Sequence, residues 1–545
     1  MCELLICCAE SSLLGAMMRG DSLIHRSSKA DTKFMAIAPP NSSTTLTAAS
    51  SDASSSYTVP LMVVTTLFFM WGFLTCLNDI LVPHLKPIFD LDYKRIMLIQ
   101  FAFFGAYFLF SIPSAWIIDW IGYQRSMVVG LLTMGLGAFL FVPAASVPSY
   151  PLFLFALIVL AAGITCLQVA ANPYVTVLGK PETASSRLNL TQAFNSLGTF
   201  LAPFFGSLFI LSAAPKTMEE IRALAPDALQ AYRLHEAATV KTPYVGLGIA
   251  LVVLAVAIGS FKLPKIEHAQ HKVGEKVNDS IWKHPNLIFG AIAIFVYVGA
   301  EVSIGSFLVN YFSQPEIGGL TEKVAAGFVA LYWGGAMVGR FFGSAILGGA
   351  KASRMALASV GGALLFGIAQ WVSGHVITQG HHGLLGILWM IVAVLLAARP
   401  LFALAAIAAA VLAISAAARG GLLSLTTGLL LGICAVCAAA LVAISMLSTG
   451  GFAMWSIILV GFFNSIMFPS IFTLGVAELG PLTGDGSGIM IMAIVGGAII
   501  PVLQGAIADR IGIHHAFFLP VICYLYILFF ALSGSKPNSQ RPAKT

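Results

Sequence analysis

Amide side chains recur at helical spacing inside two apolar stretches of the sequence. The stretch "CLQVAANPYVTVLG" carries Gln168 and Asn172, which a helix places on one face. The stretch "RLNLTQAFNSLGT" adds Gln192 and Asn195. An amide both donates and accepts hydrogen bonds, and so does a hydroxyl group, so an amide can bind a hydroxyl in either role. These four residues therefore predict a binding site for a neutral, hydroxyl-rich ligand.

Two carboxylates and three further amides stand in other apolar stretches. Asn78 and Asp79 lie in "TCLNDI" near the end of the first stretch, and Glu301 lies deep in the seventh. Asn310 follows in the same stretch as Glu301, and Asn464 precedes "MFPS". A carboxylate within a membrane-spanning helix is commonly part of a proton pathway. Asp79 and Glu301 are accordingly the candidates for proton exchange.

Each of these groups also has a purely structural interpretation. A polar side chain on a membrane helix often only bonds a neighbouring helix, a contact worth about 0.6 kcal/mol on average. Asp79 stands in the last turn of its stretch and could cap a helix end, and Glu301 could pair two helices. The sequence leaves both interpretations open. An anionic ligand is disfavoured, because Arg340 is the only basic residue well inside a core stretch.

The composition determines what kind of elements must position these groups. The chain has 545 residues, of which 58% are hydrophobic and 10% charged, whereas a soluble domain is about 25% charged. Apolar segments long enough to cross a hydrocarbon core about 30 Å thick, which takes about 20 helical residues, recur along it. Helices satisfy their own backbone in lipid, and the alternation of a transmembrane barrel is absent. The sequence predicts an all-α polytopic membrane protein.

The polar segments divide the chain and orient it. Basic loops, the central linker and the tail are placed on one side by the positive-inside rule, which predicts that both termini are cytoplasmic. The net charge of +6 is then explained by basic residues that set the orientation of the chain in the lipid membrane. No nucleic-acid partner is expected. The predicted parts are a disordered Ser/Thr-rich extension (1–57), an N-terminal half (58–263), a cytoplasmic linker (264–285), a C-terminal half (286–535) and a cytoplasmic tail (536–545).

An internal repeat predicts two six-helix halves. Pro173 and Pro203 in the first half parallel Pro469 and Pro501 in the second at nearly equal spacing, and a parallel repeat with a site between the halves is a plan of secondary transporters. The Ala/Leu-rich insert 352–420 breaks the count. It offers two or three crossings, and the orientation of the last four spans requires an even number. Two are favoured, which predicts fourteen transmembrane helices in all.

Neither a metal nor a cofactor is predicted. The eight cysteines are scattered, and Cys434 and Cys437 are interpreted as small packing residues within a helix. Histidines fall in loops, and the glycines of "VGGAII" and "WGGAMVG" suit close helix packing. The sequence offers no nucleophile-and-base set or metal triad, so an enzyme is not expected.

Four motifs, in this order, resemble the Major Facilitator Superfamily: "FFMWGFLTCLNDILVPHL", "CLQVAANPYVTVLG", "RLNLTQAFNSLGT" and "GAEVSIGSFLVNYF". Within it they are similar to the L-fucose:proton symporter family, and to its glucose/galactose transporter branch in particular. The resemblance implies a twelve-helix core, alternating access and proton-coupled import of a monosaccharide in a bacterial inner membrane. It also implies that Asp79 takes part in proton coupling, that Asn195 contacts sugar, and that Gln192 belongs to the same segment.

Two positions depart from the fucose symporter pattern. Gln168 stands where those proteins have a glutamate, and Glu301 stands where they have a glutamine. The departures favour the glucose/galactose branch and leave Asp79 and Glu301 as the expected proton-coupling acids.

The expected sugar ligands are Gln168, Asn172, Gln192, Asn195, Asn78, Asn310 and Asn464. Alternatives that stay open are import of L-fucose or another sugar, transport without proton coupling, sodium as the coupling ion, and a membrane sugar receptor.

Overall fold

The structure, a computed structural model, describes residues 57–89, 93–146, 149–209, 223–264, 279–348, 426–537 and 539. Throughout these residues the regular structure is helical, which confirms the predicted all-helical membrane fold. The predicted extension 1–57, apart from Tyr57, and the crossings predicted within 352–420 lie outside the described residues.

Among the residues that the structure describes, seven helices precede the linker, and six of them are long. Gly122 adopts φ +83°, a conformation that suits glycine, and so lets one long helix end directly before the next begins. The helices are α1 (Thr58–Phe89), α2 (Tyr93–Ile121), α3 (Tyr123–Ser146), α4 (Tyr150–Val177), α5 (Ala184–Phe209), the short α6 (Pro226–Thr239) and α7 (Lys241–Ser260).

The helices after the linker are more often interrupted. A π-helical turn (Phe530–Gly534) continues the last of them. They are α8 (Pro285–Phe312), α9 (Glu322–Leu347), α10 (Thr427–Leu447), α11 (Gly450–Asn464), α12 (Met467–Gly475), α13 (Thr483–Met492), α14 (Gly496–Ile511), α15 (Ile513–Ala516) and α16 (Phe518–Phe529).

Among the described residues, ten segments are long and apolar enough to cross a membrane. Helices α5 and α9 are not among them, because they carry more polar residues, yet each has 26 residues and so a length of about 39 Å. With these two, the described part of the chain holds twelve helical segments of spanning length. The two polar helices lie against each other, and they carry much of the candidate site.

One set of contacts between the two groups of helices lies at a single end of the bundle. Tyr174, in the last turn of α4, donates to the carbonyl of Pro264 at 3.2 Å, so α4 ends on the side where the linker leaves α7. We call this the linker side. The first turn of α5 contacts the ends of α9 and α12 there: Ser186 Oγ donates to the Ser344 carbonyl at 2.6 Å, and the Ser185 and Thr473 hydroxyls are 2.6 Å apart.

The same first turn of α5 also contacts the start of α10. Thr427 Oγ1 donates to Ser185 Oγ at 3.2 Å, while α9 ends beside Ser186. Helix α9 therefore ends, and α10 begins, on the same face of the bundle. An even number of crossings between the two helices, as predicted, requires this arrangement.

Helices α1 and α5 are packed backbone to backbone. A Cβ added at Gly72 would lie 2.2 Å from the Asn195 carbonyl, and one at Gly198 would lie 2.2 Å from the Phe69 carbonyl. Small residues allow this close approach of membrane helices. The contact fixes the position of Asn195 relative to α1.

Candidate functional site

The amides of α4 and α5 form one buried hydrogen-bonded row. Gln168 Nε2 donates to Tyr107 Oη at 2.8 Å, which ties α4 to α2. Asn172 Nδ2 bonds the Gln168 carbonyl at 3.0 Å, and Asn172 Oδ1 accepts from Gln192 Nε2 at 3.4 Å. All three amides are buried. The row presents donors and acceptors from two helices at one place, as the sequence predicts.

Asn195 extends this row toward α1. Its Nδ2 donates to the Phe68 carbonyl at 2.9 Å, and one turn further Thr199 Oγ1 donates to the Gly72 carbonyl at 3.3 Å. The side chain of Asn195 is buried, with 9% of the residue exposed. Asn195 therefore has a helix-pairing bond through its nitrogen, in addition to any bond that its Oδ1 can accept.

A second buried network surrounds Asn464 in the later helices. Asn464 Nδ2 donates to Tyr332 Oη and its Oδ1 accepts from Tyr524 Oη, both at 2.8 Å. The Asn464 carbonyl accepts from Tyr297 Oη at 3.0 Å, and Tyr332 Oη in turn donates to the Glu301 carbonyl at 3.3 Å. One asparagine thus fastens α8, α9 and α16 together, next to the carboxylate of Glu301.

The break between α11 and α12 follows from a proline. Pro469 has no N–H, so the carbonyl four residues earlier, that of Ser465, loses its usual helical partner. Arg340 Nε donates to this carbonyl at 3.2 Å. Freed backbone groups in membrane helices need such replacement partners, and here the replacement is a charged side chain.

The related proline in α4 also frees a carbonyl, although α4 continues through it. Pro173 frees the carbonyl of Val169, and Ser487 Oγ of α13 donates to it at 2.8 Å. Because Val169 precedes the linker and Ser487 follows it, this bond joins the two groups of helices. Pro173 and Pro469 therefore each create an acceptor, and the acceptor in α4 is bound from the other group.

Arg340 also reaches across to α5. Its Nη1 donates to the Gln192 carbonyl at 3.4 Å and makes a short bond to Ser196 Oγ. Its Nη2 lies 4.0 Å from Glu301 Oε1. The guanidinium thus lies between the amide row and the Glu301 network, and it contacts both.

The structure brings together most of the predicted residues but not all of them. The amide row, Glu301 and Asn464 are linked through Arg340 and the tyrosines. Asn310 is exposed and lies nine residues beyond Glu301 on α8, about 13 Å along the axis, so it is not part of the cluster. Asn78 and Asp79 lie in α1, and their side chains are outside the description.

Several partners of these residues were not among the sequence candidates. Tyr107, Tyr332 and Tyr524 bond the predicted amides. A buried tyrosine hydroxyl needs a hydrogen-bond partner, so a tyrosine in the middle of an apolar stretch was the available signal. Within the described residues, no group of three His, Cys, Asp or Glu side chains could hold a metal ion.

The sequence has clear relatives. Residues 61–424 match the Major Facilitator Superfamily model. The chain is 46% identical to the glucose/galactose transporter of Brucella abortus biovar 1 (strain 9-941) over 473 residues, which are 87% of this chain and 93% of the relative. It is 32% identical to the L-fucose-proton symporter of Escherichia coli (strain K12) over 486 residues, which are 87% and 92% of the two chains.

A solved structure supports the same relationship. The crystal structure of the E. coli fucose:proton symporter matches with a TM-score of 0.68 and 28% identity, and it covers 88% of this chain and 100% of that one. A structure of the transporter FucP in the outward conformation matches with the same TM-score and identity. The similarity therefore extends along most of the length of both proteins.

Proposed function

The chain belongs to the Major Facilitator Superfamily, in the group of the glucose/galactose transporters and L-fucose-proton symporters, and we propose that it imports glucose or galactose together with a proton. The family confirms the resemblance seen in the sequence and makes the protein an integral membrane transporter rather than an enzyme. The observation that carries the proposal is the buried amide row of α4 and α5, which faces Glu301 and Arg340 across the two groups of helices.

The proposed sugar site is built mainly from this row. Within the described residues, Gln168, Gln192 and Asn195 each donate a hydrogen bond through the side-chain nitrogen, and an amide oxygen can accept from a sugar hydroxyl. Asn172 lies between them. Amides without a fixed charge suit a neutral hexose, and the relatives named glucose/galactose transporters support this substrate class.

The remaining predicted ligands contribute less directly. Both polar atoms of the Asn464 side chain are bonded to tyrosines, so Asn464 would contact sugar only by giving up one of these bonds. Asn310 is exposed and stays a predicted ligand from its residue type alone. Asn78 stays a predicted ligand from the sequence. Asp79 and Glu301 are the proposed proton-coupling acids, with coupling inferred from the named fucose-proton symporters.

We place the protein in a bacterial inner membrane with both termini in the cytoplasm, as the basic loops suggest. The linker side is then cytoplasmic. Because the described contacts between the two groups of helices include a set at that side, the structure corresponds to a state closed to the cytoplasm. The boundaries of the two halves and the fourteen crossings stay predictions.

Coupling requires that proton and sugar favour the same access state. A ligand shifts a two-state equilibrium only by its differential affinity for the two states. Sugar bound by the amide row and protons on the two acids would together favour closure around the site and opening of the linker side. Either one alone would shift the equilibrium less, and this difference couples the two fluxes.

L-Fucose is the second candidate substrate, favoured by the similarity to the fucose-proton symporter in sequence and structure.

The test of the proposed function is uptake of labelled glucose into proteoliposomes, with and without an inward proton gradient, while unlabelled galactose or fucose competes. Proton-driven accumulation blocked by galactose would support the proposal. Uptake that ignores the gradient would indicate a facilitator or a sodium-coupled carrier, and competition by fucose alone would reassign the substrate. Binding without flux would indicate a receptor.

A further inference from the structure

The charged side chain of Arg340 contacts both groups of helices. Its guanidinium bonds the Gln192 carbonyl and Ser196 on α5, bonds the Ser465 carbonyl on its own side, and lies 4.0 Å from the carboxylate of Glu301. Only 12% of each of the Arg340 and Glu301 side chains is exposed. The arginine therefore binds the proposed sugar-site helix and the proposed proton acid at the same time.

The charge of this arginine is permanent, whereas that of its partner is not. A guanidinium stays protonated in proteins, and a buried charge that loses its counter-charge is strongly destabilising. Glu301 Oε1 is buried and makes no hydrogen bond within the described part of the chain. The electrostatic balance at this site consequently depends on whether Glu301 is ionised.

Among the titratable groups that act on Glu301, Arg340 is the charged one. Tyrosines contribute the other titratable groups that act on it: Tyr297 from α8, Tyr332 from α9 and Tyr524 from α16. Phenols are uncharged hydrogen-bonding groups near neutral pH. A proton on Glu301 thus removes the negative charge that faces the guanidinium among these groups.

Arg340 also belongs to the linker-side closure. One turn further along α9, Ser344 accepts from Ser186 at the start of α5, so Arg340 is the next contact inward between the same two helices. Charge-assisted hydrogen bonds are about twice as strong as neutral ones. The bonds from Arg340 to α5 hold this contact more firmly than the serine bond does.

We propose that Arg340 transmits the protonation of Glu301 to the linker-side closure. While Glu301 is ionised, the ion pair neutralises the guanidinium, and its bonds to α5 keep the linker side closed. When Glu301 takes up a proton, an unpaired charge remains in a dry contact. Separation of α5 from α9, which hydrates the guanidinium, then becomes favourable. This inference rests on the proposed proton-coupled transport and assigns Arg340 as a positioning residue for it.

The test uses the full-length protein in proteoliposomes with four variants. They are Arg340→Gln, Glu301→Gln, the double variant, and Ser487→Ala as a control that removes an uncharged bond between the two groups of helices. Two assays are run on each variant: proton-driven accumulation, and sugar counterflow at equal pH on both sides as a function of pH. Sugar binding by the purified proteins shows that each variant is folded.

Both single variants should lose accumulation by about tenfold or more, because protonation no longer biases the access equilibrium. Counterflow should persist in Arg340→Gln with a flattened pH profile. The double variant should exchange sugar several-fold faster than Glu301→Gln, because it has no unpaired charge. The control should keep the pH profile, and its accumulation should fall by no more than about two- to fivefold, as expected from the loss of one uncharged bond.

Four results would overturn the inference. If Arg340→Gln accumulates sugar like the unaltered protein, Arg340 does not couple. If the double variant is no faster than Glu301→Gln, or Arg340→Gln keeps the original pH profile, the arginine only joins helices. If the unaltered protein itself fails to accumulate sugar against a proton gradient, the proposed function fails together with this inference.

Discussion

Replacement of Asn464 by alanine should destabilise the protein and leave the sugar site intact. The substitution deletes two buried bonds of 2.8 Å, one to Tyr332 and one from Tyr524. Tyr332 keeps its 3.3 Å bond to the Glu301 carbonyl, so its hydroxyl still has an acceptor. The hydroxyl of Tyr524 loses the acceptor that the structure shows for it.

The magnitude follows from this count. A buried polar group left without a partner costs about 1–3 kcal/mol, and hydrogen bonds between membrane helices average about 0.6 kcal/mol with a maximum near 1.7. The orphaned hydroxyl of Tyr524 and the lost bond of Tyr332 together predict a decrease of about 1–2 kcal/mol in the free energy of unfolding. For a chain of 545 residues that corresponds to a decrease of about 1–2 °C in Tm.

A double-mutant cycle with Tyr524→Phe gives the sharper measurement. Removal of both partners leaves no unpaired hydroxyl, so Asn464→Ala together with Tyr524→Phe should cost less than the sum of the two single changes by about 1 kcal/mol. Thermal unfolding of the purified protein in one detergent reports the stability, and equilibrium sugar binding reports the site. We expect sugar affinity to change less than stability.

The opposite pattern would refute this reasoning. If Asn464→Ala leaves Tm unchanged and abolishes sugar binding, the amide is a sugar ligand and the tyrosine network does not hold it. Additivity in the cycle would likewise show that Asn464 and Tyr524 do not depend on each other.

Two further changes test the contacts between helices. Gly72→Ala should abolish uptake and lower Tm, because its Cβ would lie 2.2 Å from the Asn195 carbonyl. The control Gly105→Ala, whose Cβ has no atom within 4 Å, should change neither uptake nor Tm. Equal effects of the two substitutions would contradict the close packing of α1 on α5. Ser487→Ala removes the bond to the Val169 carbonyl and should favour opening of the linker side, raising the KM for external sugar about two- to fivefold, since about 0.6 kcal/mol is lost. An unchanged KM would show that this bond does not contribute to closure.

Much of the site could be predicted because the relevant signals are local. Gln168 and Asn172 share a helical face through their spacing alone, and a carboxylate such as Glu301 inside an apolar stretch points to function wherever it occurs. The predicted helices follow from the length of apolar segments. The family motifs then supplied the expected fold and substrate class, and the comparisons confirmed the family.

The role of Arg340 could not be predicted in the same way. Its partners Gln192 and Ser465 are 148 and 125 residues away in the sequence, and which carbonyl it meets depends on the rotation and crossing of α5, α9 and α12. Asn464 likewise has the residue type of a sugar ligand, yet its partners come from α9 and α16. A residue type states what bonds are possible, and packing selects among them.

The sequence by itself determined that this chain forms membrane-spanning helices and which stretches carry polar faces. The physical reason is that apolar length and helical periodicity act within one segment, where lipid requires the backbone to bond itself. Only the tertiary structure decided which of those polar groups bind one another and where the two groups of helices contact each other. Those choices arise between segments, where prolines free carbonyls and one buried charge must find its partners.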